Sequence, residues 1–275
     1  MLIETDYKMK EQTPYLSVII PSYKGAPILE KNIPFLLEYL KRQIYSYEVI
    51  IVDDGSGDNG ETEKTVRKLG CLFFNNPFNE GKGAAVRKGM LLAKGEYRIF
   101  TDVDIPFETD AFEIFLHFLD LKQFDMVIGD RTLPGSSYFT EIPFSRKIGS
   151  AIFTFIVGRF VTSGMFDTQC GMKGFRKKTA EKIFSLSMIN GFAFDVELIY
   201  IALKNKWAIK RLPVKLRNQE GSSVNLLKHS PEMLMDLFKI KMNHLRRKYT
   251  GSLLIQEEEL PLFHPLQEGK SAGNG

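Results

Sequence analysis

Short apolar runs punctuated by turn residues organise the first half of the chain. Leu16–Ile20 (LSVII) is closed by Pro21, and Tyr47–Val52 (YEVIIV) by Asp53-Asp54-Gly55-Ser56-Gly57. Cys71–Phe74, Tyr97–Thr101 (YRIFT) and Met126–Gly129 follow the same pattern. Runs this short, bounded by Gly, Pro and Asp, predict buried strands. Between them, Ile28–Arg42 spaces Ile33, Leu36, Leu37 and Leu40 along one helical face, and Thr62–Leu69, Gly83–Ala93 and Thr109–Leu121 are predicted helices too. Strand and helix in alternation imply an α/β fold, a mostly parallel sheet with helices on both faces.

The second half changes character. It predicts an apolar helix over Ser145–Val161, with Arg146, Lys147 and Arg159 near its ends, and a Gly-rich stretch, Cys170–Phe175, leading into a helix over Lys177–Phe184. A helix over Phe194–Lys204, a strand-like run over Ile209–Leu216 and a basic amphipathic helix over Ser230–Lys248 follow. Residues 1–13 and 251–275 are polar and expected to be flexible, leaving 14–250 as one domain.

Bulk numbers narrow the function classes. A chain of 275 residues, 44% hydrophobic and 25% charged, can bury a full globular core. A net charge of +4 is too small to argue for nucleic acid, and none is expected as a partner. Two cysteines, Cys71 and Cys170, allow at most one bridge, which suits a reduced, cytoplasmic setting. The charged start MLIETDYKMKEQ holds no apolar run of the kind a signal peptide needs. Ala151–Val157, the most apolar stretch, falls far short of the ~20 residues of a spanning helix. Association with a membrane surface stays open.

Chemistry gathers where the strands end. Open parallel sheets bind ligands beyond the carboxyl ends of their strands. Pro21-Ser22-Tyr23, Asp53-Asp54-Gly55-Ser56 and Asp102-Val103-Asp104 all follow strands, so one edge receives all three. Asp102 and Asp104, one residue apart, form an oxygen pair suited to a hard divalent cation. An Asp-x-Asp alone is also a common surface turn. Asp53 is placed to accept hydrogen bonds from a ribose or a base edge. Tyr23 either lies against a planar ring or is an exposed turn tyrosine. Asn79-Glu80-Gly81-Lys82-Gly83 opens a helix, where glycines and the helix N-terminus favour an anion and Lys82 adds charge. The run is not a Walker A loop, because Gly83 follows Lys82, and Val86 keeps it from completing Gly-x-Gly-x-x-Gly.

These residues carry a resemblance. VIIPSYKG, VIIVDDGS, NEGKGAAVRKGM, TDVD, GDR and FDTQCGMKGF occur in the order found in family-two glycosyltransferases, over roughly Leu16 to Gly251. FDTQCGMKGF, FAFDVELIYIA and EGSS are similar to the dolichyl-phosphate glucosyltransferase and mannosyltransferase branch, closer to its glucosyl members. The resemblance implies the GT-A fold and inverting transfer of a hexose from UDP-glucose or GDP-mannose to a polyprenyl phosphate lipid, glucose favoured, with Mg²⁺ or Mn²⁺ as cofactor. Pro21, Tyr23, Ile51 and Asp53 would contact the nucleoside, with Lys82 on the nucleotide as well. Asp102, Val103 and Asp104 would hold ribose, diphosphate and metal. Arg131 of the GDR motif would face phosphates, with Gln169 and Ser222 beside it on the acceptor side and Asp195 among the catalytic residues. Three departures stand out: Lys24-Gly25 follows Tyr23 where Asn-Glu is usual, Val103 replaces Ala, and Asn218, Gly221, Ser222 and Ser223 stand where mannosyl members carry Arg and Lys.

The acceptor decides the catalytic requirement. A phosphate monoester, with a second pKa of about 6, is largely ionised at neutral pH and needs no general base. A hydroxyl acceptor on a sugar, glycerate or protein needs one, and Asp195 or Glu197 would supply it. With a phosphate acceptor, Asp195 is expected to orient substrate or a basic side chain. Two other readings compete: a nucleotide-sugar binder without turnover, and a haloacid-dehalogenase-type phosphatase, whose Asp-x-Asp normally ends the first strand and not the fourth. With a lipid acceptor, Ser145–Val161 and the basic residues Lys239, Lys241, Arg246, Arg247 and Lys248 would meet a membrane surface, making the protein peripheral at the cytoplasmic membrane face.

Overall fold

A computed structural model of the chain describes residues 13–136, 164, 167–217 and 226–249. Nearly all of the expected flexible N-terminus, the apolar helix predicted over 145–161, Ser222 with its Gly-Ser loop, and the tail lie outside the described residues. The strands are β1 (Leu16–Ser22), β2 (Tyr47–Asp53), β3 (Leu72–Asn75), β4 (Tyr97–Phe100), β5 (Met126–Asp130), β6 (Lys173–Arg176) and β7 (Ile209–Pro213). They form one sheet in the order β3-β2-β1-β4-β6-β5-β7. All pairs are parallel except the two that β6 makes, with β4 and with β5.

Helices cover both faces, as the unbroken burial of β1 requires. Val18 and Ile20 point into one core with Leu29, Ile33 and Leu36 of α1 (Ala26–Lys41) and Phe112 and Phe115 of α4 (Asp110–Asp120). Ile19 points into the other. There it meets Val86 of α3 (Lys82–Leu92), Phe184 of α5 (Lys177–Leu186), Ile199 of α6 (Phe194–Lys204) and Leu237 and Ile240 of α7 (Leu226–Leu245). A short helix, α2 (Glu61–Lys68), flanks β3.

Three boundaries depart from the sequence reading. Pro21 does not stop β1: Pro21 pairs with Val52 and Ser22 with Asp53. The Ile19 carbonyl accepts from Thr101 on the β4 side, so Pro21 also faces that side, just beyond the last β1–β4 pair. Its missing N–H therefore leaves no ladder bond unmade. Next, the Gly-rich stretch Cys170–Phe175 leads into a helix at Lys177 as expected, but from Lys173 it is also strand β6, which the sequence reading did not assign. A Cβ on Gly174 would stand 3.1–3.2 Å from Leu119, Ile99 and Phe115, so the glycine lets α4 close on the sheet. Finally, β7 ends at Pro213, and Leu216 leaves the ladder to bridge Phe107.

The reversal of β6 positions the site. The carboxyl ends of β1, β2, β4, β5 and β7 share one edge of the sheet, and the amino end of β6 lies on that same edge. Residues 167–172 therefore arrive beside the residues that follow β4 and β5.

Candidate active site

The centre of the edge is a turn held in a costly backbone shape. After β4, the Ile105 N–H donates to the Asp102 carbonyl at 3.0 Å, and Ile105 has φ 44° while 1% exposed. A β-branched residue at positive φ is strained and persists only where its surroundings enforce it. The segment after β7 supplies that enforcement. Arg217 N–H donates to the Pro106 carbonyl at 2.8 Å, and Glu108 N–H to the Lys215 carbonyl at 3.0 Å.

Asp102 lies in a fitted slot. Its Oδ1 pairs with Lys82 Nζ at 2.5 Å. On its other side, a Cβ built on Gly171 would stand 2.1 Å from Asp102 Oδ2, so only glycine leaves room for the carboxylate. Burial opposes the charge on Lys82, but Asp102, Asp195 and Asp104 outweigh it and hold the ammonium above its ordinary range. Burial, then the Asp102 carboxylate, push Asp104 up.

Lys82 reaches this position because its flanking glycines pack backbone to backbone. Gly83 N–H donates to the Asn190 carbonyl at 2.7 Å, and a Cβ there would meet the Ile189 carbonyl at 2.6 Å. The open anion site expected at this helix start is partly filled from within. Asp54 accepts from Glu80 N–H at 3.0 Å and Gly81 N–H at 2.8 Å, and also from the Asn76 amide at 2.8 Å. The carboxylate that the helix N-terminus favours is thus Asp54, which fixes the loop carrying Lys82.

A second ion pair lies deeper. Lys173, fully buried, donates to Asp195 Oδ1 at 2.5 Å and to the Cys170 carbonyl at 2.8 Å. Burial raises the Asp195 carboxyl while Lys173 and Lys82 oppose the rise. Asp195, the expected orienting group, is therefore ion-paired with Lys173 and lies within the field of Lys82. Glu197, the other candidate base, is buried and saturated. It accepts from Met188 N–H, Ile189 N–H at 2.8 Å and the Tyr249 hydroxyl at 2.6 Å, which ties the loop before α6 to the end of the described chain.

The remaining expected residues spread along the edge. Tyr23 is half exposed, with Lys24 Nζ 5.4 Å from its ring centroid. Asp53 is buried, and both its oxygens accept from Ser56, through the N–H at 2.9 Å and the hydroxyl. Pro21 is buried within β1, Ile51 is buried in the core below Asp53, and Val103 packs partly against the α1 side. Arg131, expected to face phosphates, clamps Asp167 through Nε at 2.9 Å and Nη2 at 2.7 Å, with its own N–H adding a third bond at 2.6 Å. Burial of Asp167 works against its charge, yet the Arg131 bonds win and hold its carboxyl below the ordinary value. Gln169 directs its amide to the Met233 sulfur on α7 at 3.9 Å.

Several contributors have no role in the sequence reading: Asp54 stands only in the strand-end group, Asp167, Gly171 and Lys173 only within FDTQCGMKGF, and Arg217 is not singled out. Lys173 left a signal, a lone lysine in the otherwise uncharged run Thr168–Phe175. Arg217 left little. Its guanidinium lies 4.4 Å from the Phe35 ring, bonds Asn32 at 2.8 Å and acts on Asp104 by charge, while its Nε is buried without a partner among the described residues.

The donor set fits a hard divalent ion. Lys82, Lys173 and Arg217 bring three positive charges to Asp102, Asp104 and Asp195, so the set balances if all ionise. Burial first and the Asp102 carboxylate second push Asp104 up against the charges of Lys82 and Arg217, and a cation between the two carboxylates would favour their ionised form. Two carboxylate oxygens suit Mg²⁺ or Mn²⁺ and leave further positions to a ligand. No group of three or more His, Cys, Asp or Glu side chains clusters as a metal site among the described residues.

The order of this sheet, with the candidate residues gathered at its strand ends, is that of the GT-A fold. Mannosyl-3-phosphoglycerate synthase from Rubrobacter xylanophilus aligns with a TM-score of 0.60 at 16% identity, covering 90% of this chain and 79% of that one. Glucosyl-3-phosphoglycerate synthase from Mycobacterium tuberculosis, with Mn²⁺, UDP-glucose and phosphoglyceric acid, gives 0.62 at 15% identity, covering 82% and 79%. At such identities the likeness is one of fold. Sequence carries it further: the chain belongs to glycosyl transferase family 2, whose profile matches residues 17–184. It is 33% identical to the dolichyl-phosphate β-glucosyltransferase of Dictyostelium discoideum over 84% of this chain and 75% of that protein. The enzyme of the same name from Homo sapiens is 32% identical over 85% and 76%.

Proposed function

We propose that this enzyme transfers glucose from UDP-glucose to a polyprenyl (dolichyl) phosphate with inversion, aided by Mg²⁺ or Mn²⁺ held by Asp102 and Asp104. One observation carries the choice of acceptor: neither candidate base is free to take a proton from a hydroxyl. Glu197 is saturated by N–H and O–H donors, and Asp195 is ion-paired with Lys173 and lies within the field of Lys82. An ionised phosphate monoester needs no such base. The similarity to dolichyl-phosphate β-glucosyltransferases supports the same acceptor and favours glucose.

In this reading Tyr23 and Asp53 border the nucleoside, with Pro21, Ile51 and Val103 shaping the floor beneath it. When bound, the metal offsets charge on the departing nucleoside diphosphate. Lys82 adds a fixed ammonium beside Asp102, and Arg217 brings a guanidinium to the Asp104 side of the same edge, where mannosyl members rely on a later Arg and Lys. Arg131, braced by Asp167, keeps a partly exposed guanidinium on the β5 side for the acceptor phosphate, with Gln169 and Ser222 nearby in sequence motifs. The catalytic unit is residues 14–250, peripheral to the cytoplasmic face of a membrane. No helix among the described residues is long and apolar enough to cross one.

The test is a transfer assay with Mn²⁺ that crosses two donors, UDP-glucose and GDP-mannose, with three acceptors: polyprenyl phosphate, 3-phosphoglycerate and a free sugar. Product from UDP-glucose and polyprenyl phosphate, lost in Asp104→Asn, is the expected result. Product only with a hydroxyl acceptor overturns the acceptor assignment, and product only from GDP-mannose overturns the sugar.

A further inference from the structure

Helix α7 carries two apolar faces, and only one has a partner among the described residues. Met233, Leu237 and Ile240 are buried against α6 and the sheet. Leu234, Met235, Phe238 and Leu245 stand 47%, 63%, 67% and 74% exposed. At about 100° per residue these four fall within one third of the helix circumference, opposite the buried set. Exposed large side chains scattered singly are ordinary, but a contiguous stripe three turns long marks a contact surface. Met188, 46% exposed in the loop before α6, extends the stripe across a cavity of about 360 Å³ that it lines with Met235.

Charge flanks the stripe on both sides. Lys241 borders it on one side and Lys239 on the other, with Arg246, Arg247 and Lys248 exposed just beyond the helix. Two acids lie nearby: Glu232, exposed one turn before Met235, and Asp236, which is largely buried and paired with Lys239 at 2.8 Å. Among the described residues the rim thus carries one exposed acid against five basic residues. Lys241 also shares the Tyr200 ring with Lys204, at 5.1 and 5.4 Å, which crowds two ammoniums that an anion would relieve. An apolar face rimmed by Lys and Arg is the composition of a helix lying in a lipid headgroup layer.

Position ties this face to the site. Met233, on the inner side of α7, takes the Gln169 amide, and Asp236 Oδ2 lies 3.2 Å from where a Gly191 Cβ would be. The loop holding Gly191 packs on Gly81 and Gly83, which flank Lys82. The stripe is thus on the rim of the strand-end site. We propose that this outward face of α7 docks the enzyme on an anionic lipid bilayer, so that the site's rim meets the layer in which a lipid phosphate stands. The proposal rests on the lipid-acceptor reading for its purpose, but not for its test. It assigns membrane contact to specific exposed residues, beyond the general basic charge of the C-terminal segment.

The experiment uses the full chain and phosphatidylcholine vesicles with or without phosphatidylglycerol. Wild type is expected to float with the anionic vesicles, less so at high salt, and Met235→Glu/Phe238→Glu is expected to lower binding by about tenfold or more. In the same variant, turnover of bilayer-embedded polyprenyl phosphate falls in parallel, while turnover of a short-chain, water-soluble phosphate acceptor is unchanged. Equal flotation of variant and wild type overturns the proposal. So does a wild type that sediments as a dimer without floating and a variant that is monomeric, which makes a second copy the occupant. Failure to use either phosphate acceptor with flotation intact refutes the function reading alone.

Discussion

Gly171→Ala separates catalysis from folding more sharply than any other single substitution in this chain. The added Cβ would lie 2.1 Å from Asp102 Oδ2 and 2.7 Å from its Cγ, where contacts under 3.0 Å are not sustained. The carboxylate must retreat by about 1 Å to restore an ordinary approach. It is the end of a side chain, so the retreat is possible without moving β4 or β6. The movement instead falls on the 2.5 Å pair with Lys82 and on the oxygen offered to a metal. A misplacement of about 1 Å at a reacting centre costs on the order of 100-fold in rate, about 2.7 kcal/mol of transition-state stabilisation. The assay is kcat/KM for transfer, with thermal shift on Mn²⁺ and nucleotide as the binding readout and Tm of the free protein as the fold readout. Gly83→Ala is the companion, because its Cβ would strike the Ile189 carbonyl at 2.6 Å, which is backbone and cannot swing aside. Gly171→Ala should lose rate with little loss of Tm, and Gly83→Ala should lose Tm outright. A Gly171→Ala enzyme within about twofold of wild type, or one as unstable as Gly83→Ala, would refute the reasoning.

Two further outcomes follow from the buried charges. Lys173→Met leaves Asp195 buried and without its nearest cation, and urea unfolding should show a loss of about 3–5 kcal/mol, much of it recovered in Lys173→Met/Asp195→Asn. Asp167 titrates below its ordinary value in the folded state, so its contribution is complete above the unfolded pKa and fades as pH falls through that value toward the folded one. Thermal unfolding between about pH 2 and 6 should therefore show Asp167→Asn less stable than wild type near neutrality, with the gap closing at the acid end.

The central parallel strands β1, β2 and β4 were legible because they are largely buried and read as short, mostly apolar runs, and β3, at the edge of the sheet and half exposed, by its apolar residues alone. β6 was not, because Lys173 and Gly174 break that signature for reasons that lie elsewhere. Lys173 answers Asp195, which is 22 residues away, and Gly174 answers the approach of α4. The strand-end grouping of Asp53, Asp102, Asp104 and Lys82 followed from topology alone, since parallel strands share an edge. Partners across that edge did not. Arg131 is a phosphate candidate by type, and only the reversed entry of β6 reveals that Asp167 holds it. The glycines around Lys82 were expected to let an anion approach, and what approaches them in the fold is the Asn190 and Ile189 backbone. Helix α7 was legible as a basic amphipathic helix, but which of its apolar residues turn outward was not, because it carries apolar residues on two sides.

The reversal of β6 also has a consequence for how such an enzyme diversifies. In a β-α-β unit the connection carries the chain from the strand-end edge back to the opposite one, so its length is bound to the geometry of the sheet. Between β5 and β6 the chain leaves the strand-end edge at Asp130 and returns to the same edge at Lys173. Residues 131–172 are therefore a graft with both ends rooted beside the reacting groups. Lengthening or exchanging the segment between those ends shifts no register in the sheet. The residues that follow β1, β2 and β4, spread over strands joined by three crossovers, have no such freedom, so relatives of this architecture are expected to keep that part of the edge and to differ in the connection from β5 to β6.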